Sequence, residues 1–311
     1  MEIAANPVAQ VPAPDAGPPV RHAWMPVSPC GTGCVQNRPD IGVVRAGLRA
    51  AAAVSVLLAY PFAHIVTPAT RRSGVQRRFA QALLRACGIR LRVVDRRTGA
   101  AAVGARFAGP GAGVLVVAGH IGWADIVVLA AVQPLAFVAR ADLIDWPVLG
   151  KLARVLRVVP IERERLRRLP QVVEQIGQRL AAGERIGFFP EGTTWCGRAY
   201  GTLRPALFQA AVDTATPVQP VRLRYLDSHG NRSTVPGFVG DDTLVGSVVR
   251  VLRARGLTAE VVLAAVEPAG TDRKELARRC ERAVRAEDLS DAAHAVLAAA
   301  GRQLAEAVVP G

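Results

Sequence analysis

Apolar residues in this chain fall either into short continuous runs closed by turn residues or into longer segments with apolar positions three or four apart. Val114–Ala118 is the clearest short run. A Gly-Pro-Gly-Ala-Gly stretch precedes it and Gly119 closes it, the pattern of a strand buried on both faces. Residues 126–132 read as a helix packing back on that strand. Further strands are expected at 89–94, 135–139, 158–161, 186–189, 218–223 and 259–266. Helices are expected at 152–156, 166–180, 206–212, up to Leu252, at 274–286 and at 292–305. Strands alternating with helices predict an α/β fold.

The longest apolar run is 48–66, with Arg49 near its start and Pro61 near its end. The portion from 50 to 66 is near the lower limit for a membrane span. Its many alanines leave three readings open: a span, a partly inserted helix, or a helix packed in a soluble core. Arg45 and Arg49 flank one end, and Arg71, Arg72, Arg77 and Arg78 the other. That excess places the following domain on the cytoplasmic side. Residues 76–87 read as a second helix whose arginines suit an anionic lipid surface. Residues 1–40, rich in Pro, Ala and Gly, read as a disordered or loosely packed tail in which the stretch 24–34 could dock on the body. With no n-region and h-region at their start, these residues are not expected to be a signal peptide.

A length of 311 residues with 50% hydrophobic positions allows one large domain plus appendages. The net charge of +14 suits nucleic acid, an anionic membrane or an anionic substrate. Aromatics make up only 5%, too few for a base-stacking platform, so nucleic acid is not expected as a partner. Of the five cysteines, Cys30 and Cys34 could form half a metal site or a local disulfide. No second pair has metal-site spacing, so free thiols and no metal are expected. Cys196 has no reason to be a nucleophile.

Two strand ends carry candidate chemistry. His120 follows Val114–Ala118, and Asp125 lies five residues on. Positions i and i+5 do not share a helix face, so His120 precedes the helix and Asp125 occupies its first turn. The loop can fold the imidazole back onto the carboxylate. The plainer alternative is an isolated loop histidine beside a helix-capping aspartate. The second end is Pro190-Glu191-Gly192-Thr193-Thr194, after the run 186–189. No G-x-S-x-G elbow exists, which excludes a serine hydrolase of the usual α/β type.

GHIGWAD with FPEGTTW resembles the glycerolipid acyltransferase family, which includes 1-acyl-sn-glycerol-3-phosphate acyltransferases. The first family block, His-x4-Asp, matches His120 and Asp125. The second ends in an arginine, matching Val159-Pro160-Ile161-Glu162-Arg163. The third, Phe-Pro-Glu-Gly-Thr, matches residues 189–193. The fourth matches Pro217-Val218-Gln219-Pro220-Val221. The blocks keep the family order from about Leu91 to Val266. Gly119 and Gly122 stand where the family often has Asn and Ser. The Thr193-Thr194 form is also common in lyso-ornithine lipid acyltransferases.

The resemblance implies an α/β fold with a mixed central sheet flanked by helices and N-terminal membrane-associated helices. The divisions are 1–40 tail, 41–88 membrane-associated helices and 89–311 acyltransferase domain. The implied reaction moves a fatty acyl group from acyl-CoA or acyl carrier protein to the hydroxyl of 1-acyl-sn-glycerol-3-phosphate, giving phosphatidic acid. A lyso-ornithine lipid acceptor is the alternative. A non-enzymatic membrane-surface binding protein is the alternative of another class, and it would need neither His120 nor Glu191. His120 would be the base and Asp125 its partner. Arg163, Glu191, Gly192 and Thr193 would bind substrate, with Glu191 ordering Arg163 or touching an acceptor hydroxyl. Backbone N–H groups near the helix start or the Gly-Thr turn would hold the oxyanion. The segment 146–150 would line the substrate passage. No cofactor beyond the acyl thioester is implied. The expected partners are the thioester donor, a lysophospholipid and an anionic membrane surface. The expected location is a bacterial cytoplasmic membrane, peripheral or N-terminally anchored, with the catalytic domain cytoplasmic.

Overall fold

The computed structural model describes residues 25–37, 40–99, 104–144, 150, 155–162 and 165–286. Arg163, residues 146–149, the expected helix at 292–305 and most of that at 152–156 lie outside them.

Among the described residues a seven-stranded sheet forms the centre, in the order β1-β7-β6-β2-β5-β3-β4. The strands are β1 (Arg90–Asp95), β2 (Val114–Ala118), β3 (Ala136–Arg140), β4 (Val159–Ile161), β5 (Arg185–Phe188), β6 (Val218–Leu226) and β7 (Thr258–Leu263). Five of them run parallel; β7 pairs antiparallel with β6, and β1 follows β7. The sheet is therefore mixed, as expected.

All five residues of β2 are buried, which explains a run with no polar alternation. Its side chains feed two cores. Val114, Val116 and Ala118 face a layer built on α2 (Ala69–Ala86), α3 (Ala124–Val132) and α6 (Leu244–Arg253). Leu115 and Val117 face the layer of α4 (Leu169–Ala181), α5 (Gln209–Asp213) and α7 (Arg273–Arg285). The chain leaves β2 into α3 in the first layer, whereas it leaves the neighbouring β5 towards α5 in the second. Adjacent strand ends that diverge to opposite faces open a crevice, the usual place for a ligand in such sheets.

The N-terminal helices form a hairpin. α1 (Val43–Val66) is long and apolar enough to cross a membrane by length and composition, and only 6% of its apolar window is buried. The helix continues through Pro61, where the sequence pattern places an interruption. A proline removes one backbone donor, but α2 supports this turn through Tyr60 against Phe79, with ring centroids 5.4 Å apart. Arg49 ties α1 to the domain by donating to the carbonyls of Leu252 at 2.9 Å and Ala254 at 2.7 Å, at the end of α6. α2 in turn clamps α3: Arg77 and Gln81 both donate to the Ala131 carbonyl. Of the stretch read as a tail, residues 25–37 lie against the body. Cys30 is buried, and the Gln36 amide donates to the Thr234 hydroxyl at 2.9 Å.

Candidate active site

The site begins where β2 ends. His120 follows Gly119, and four residues later α3 starts, with Asp125 in its first turn and wholly buried. The loop folds back as its length allows, so that His120 Nδ1 lies 2.9 Å from Asp125 Oδ2. The same oxygen accepts the amides of Ile121 at 2.7 Å and Gly122 at 2.9 Å. Asp125 Oδ1 accepts the Tyr225 hydroxyl at 2.8 Å. A buried carboxylate needs such donors to offset its lost hydration. Burial, and then the Asp125 charge, push the Tyr225 hydroxyl well above the ordinary tyrosine range, so it remains a donor. With Nδ1–H assigned to Asp125, His120 keeps Nε2 as a proton acceptor on a side chain that is 19% exposed.

The imidazole plane is fixed as well. Phe189 stacks on it with centroids 4.0 Å apart and planes 8° from parallel, and Phe137 lies beyond Phe189. The Trp195 amide donates to the His120 carbonyl at 2.7 Å, and the Phe238 amide to the Ile121 carbonyl at 2.9 Å. The Thr194 hydroxyl donates to the Phe238 carbonyl. Gly122 has a steric reason to be glycine: a Cβ there would sit 2.3 Å from the Pro236 carbonyl oxygen.

Glu191 stands at the neighbouring strand end but faces inward. Its Oε2 accepts the His120 amide at 2.7 Å and its Oε1 the Gly201 amide at 3.2 Å. Burial raises this carboxyl from 4.5 to about 8, against the amides and the Arg285 charge that lower it. Glu191 was expected to order Arg163, which lies outside the described residues, or to touch an acceptor hydroxyl. In the structure the residue is 3% exposed and holds the backbone of His120. The reversal comes from Gly192, which has φ +73°, a conformation that glycine reaches freely. Gly192 and Thr193 lie on the turn just beyond it, under Pro26, whose Cγ would be 2.8 Å from a Cβ at Gly192.

A correction concerns the oxyanion donors. The amides of His120, Ile121 and Gly122, next to the helix start, are engaged by Glu191 and Asp125. They fix the His120 loop through those carboxyl groups. Sequence reasoning missed Tyr225, and it missed Arg222 and Arg285, which line the cleft beside His120 and Glu191. Arg285 pairs with Glu281 and lies over the Tyr200 ring. No spacing rule could have found them, because each reaches the site through the sheet or a distant helix.

A family profile described as acyltransferase matches residues 96–224. The chain is 35% identical over 186 residues to a 1-acyl-sn-glycerol-3-phosphate acyltransferase of Neisseria gonorrhoeae, covering 59% of this chain and 72% of that one. It is 34% identical over 267 residues to a lyso-ornithine lipid O-acyltransferase of Brucella abortus, covering 79% and 94%. A crystal structure of a 1-acyl-sn-glycerophosphate acyltransferase from Thermotoga maritima shares the fold, with a TM-score of 0.55 at 16% identity over 78% of this chain and 93% of that one. The chain belongs to the glycerolipid acyltransferase family. It is a membrane-associated O-acyltransferase that moves an acyl group to a lipid acceptor.

Proposed function

We propose that this enzyme acylates the free hydroxyl of a lyso-ornithine lipid. The observation that carries the reading is the relative from Brucella abortus named for that activity, matched along 94% of its length. Relatives of the same name from Rhizobium meliloti and Pseudomonas aeruginosa, at 37% and 34% identity, support it, as does the Thr193-Thr194 sequence. Lysophosphatidate is the second reading, favoured by the Neisseria relative.

His120 Nε2 takes the proton of the acceptor hydroxyl as its oxygen attacks the thioester carbonyl of acyl-CoA or acyl carrier protein. Asp125 holds the tautomer and stabilises the imidazolium. The tetrahedral intermediate collapses, the C–S bond breaks, and the imidazolium returns its proton to the departing thiolate. The Thr193–Thr194 turn is our candidate for the oxyanion donors. It sits beside His120 because the Trp195 amide is bonded to the His120 carbonyl. Arg163 binds the anionic head group, carboxylate or phosphate, in bidentate fashion. Arg222 and Arg285 add positive charge to the cleft.

Competition tests the acceptor. The enzyme receives lyso-ornithine lipid and lysophosphatidate at equal mole fraction in mixed micelles, with acyl-CoA and acyl carrier protein in separate reactions. Mass spectrometry of both products should show ornithine lipid in excess. Phosphatidic acid as the main product would return the assignment to lysophosphatidate.

A further inference from the structure

The fold brings Cys196 to two cysteines that lie far from it in the chain. Cys30 and Cys34 bracket a short turn in the N-terminal segment, and Cys196 directly follows the FPEGTTW motif. Their Sγ atoms all lie within 4.8 Å of one another. All three are free thiols; Cys30 and Cys196 are buried, and Cys34 is partly so. Trp195, Ala199, Val239 and Val35 make the surroundings apolar.

Cys196 directly precedes Gly197, whose φ of +88° turns the chain beside the cluster. A thiolate buried among apolar groups is costly unless it is paired, and a bound cation supplies that partner, because it is the thiolate that ligates metal.

Zinc sites use Zn–S distances of about 2.3 Å in tetrahedral geometry, which puts neighbouring sulfurs about 3.8 Å apart. The observed separations, none above 4.8 Å, come within about 1 Å of that spacing.

We propose that Cys30, Cys34 and Cys196 bind a thiophilic divalent cation, zinc first, as three thiolate ligands. A water molecule takes the fourth position. Each thiol that ligates gives up its proton, so loading fully protonated thiols with one Zn2+ releases three protons. No oxidant is needed. The role is structural. The metal staples residues 25–37 over the Gly192 turn and holds Cys196, one residue from the amide that is bonded to the His120 carbonyl. The site is independent of the acceptor assignment.

The test uses the full chain, purified in detergent without chelators. Elemental analysis should find about one zinc per chain. Stripping with a chelator and titrating with Co2+ should give a thiolate-to-cobalt charge-transfer band that saturates at one equivalent, with proton release measured in weak buffer. Cys34→Ser and Cys196→Ser should lose the metal, while Cys87→Ser and Cys280→Ser keep it. Where a cysteine variant fails to fold, the cobalt titration of the unaltered chain decides alone. Two results overturn the proposal. One is a chain that binds neither zinc nor cobalt. The other is a mass two hydrogens low, with Cys196 linked by a disulfide to Cys30 or Cys34.

Discussion

The sheet's carboxyl edge and the outer face of α1 each carry residues that usually sit on the opposite side of a protein surface. At the edge, Asp125 is completely buried and Glu191 nearly so; along α1, Phe62 and Ile65 are 73% and 74% exposed. The buried acids are tolerated because polar hydrogens surround them: an imidazole, a phenol and four amides shared between two carboxyl groups. The exposed apolar side chains have no such local answer. They are stable facing hydrocarbon and costly facing water. One region depends on protein donors and the other on lipid, so each can be broken without the other.

The largest effect should come from His120→Ala, with kcat down ~10²–10⁴-fold and membrane fractionation unchanged. Activity within a factor of about three of the parent would remove His120 as the base. Asp125→Asn comes next, with a loss of roughly a hundredfold or more, because the amide cannot satisfy the same donors and frees the imidazole to take the wrong tautomer. Its signature is a fall in kcat with little change in KM; a pure KM effect would assign Asp125 to binding. Tyr225→Phe leaves Asp125 Oδ1 without its phenol. It should cost ~1–3 kcal/mol in urea unfolding and reduce kcat less than Asp125→Asn does.

Glu191 sharpens the comparison through pH. Its folded-state value of about 8 lies above the ordinary 4.5, so the folded chain keeps a proton that the unfolded chain releases. Its contribution to stability is intact below about 4.5 and declines as pH rises towards about 8. Glu191→Gln should flatten that decline in urea midpoints measured across the window; an unchanged slope would mean that Glu191 is ionised in the folded state. The smallest chemical effect belongs to α1. A Leu58→Glu/Phe62→Glu double variant should shift the protein from the membrane to the soluble fraction with kcat in detergent micelles unchanged. A fall in kcat there would show that the two regions are coupled.

The end of β2 was readable because it has a local cause: a five-residue apolar run, a closing glycine, and a loop length that sets Asp125 in a first helical turn. The mixed sheet was legible only through family resemblance, since no residue pattern marks β7 as reversed. Tyr225 was hidden because it meets Asp125 from a hundred positions away, inside a strand whose other residues look ordinary. Glu191 was visible as an acid at a strand end, but its direction depends on the backbone turn at Gly192. Cys196 was weighed only as a nucleophile, because its nearness to Cys30 and Cys34 depends on how the N-terminal segment folds over it.

Arg49 bolts α1 to the last carbonyls of α6, and its consequence is kinetic. With α1 in lipid, an enzyme fixed to that helix would meet its acceptor in two dimensions. Turnover then follows surface dilution: diluting the lysolipid with inert lipid at constant bulk concentration slows the reaction, whereas adding more vesicles of the same composition, once the enzyme is bound, leaves each molecule's rate unchanged.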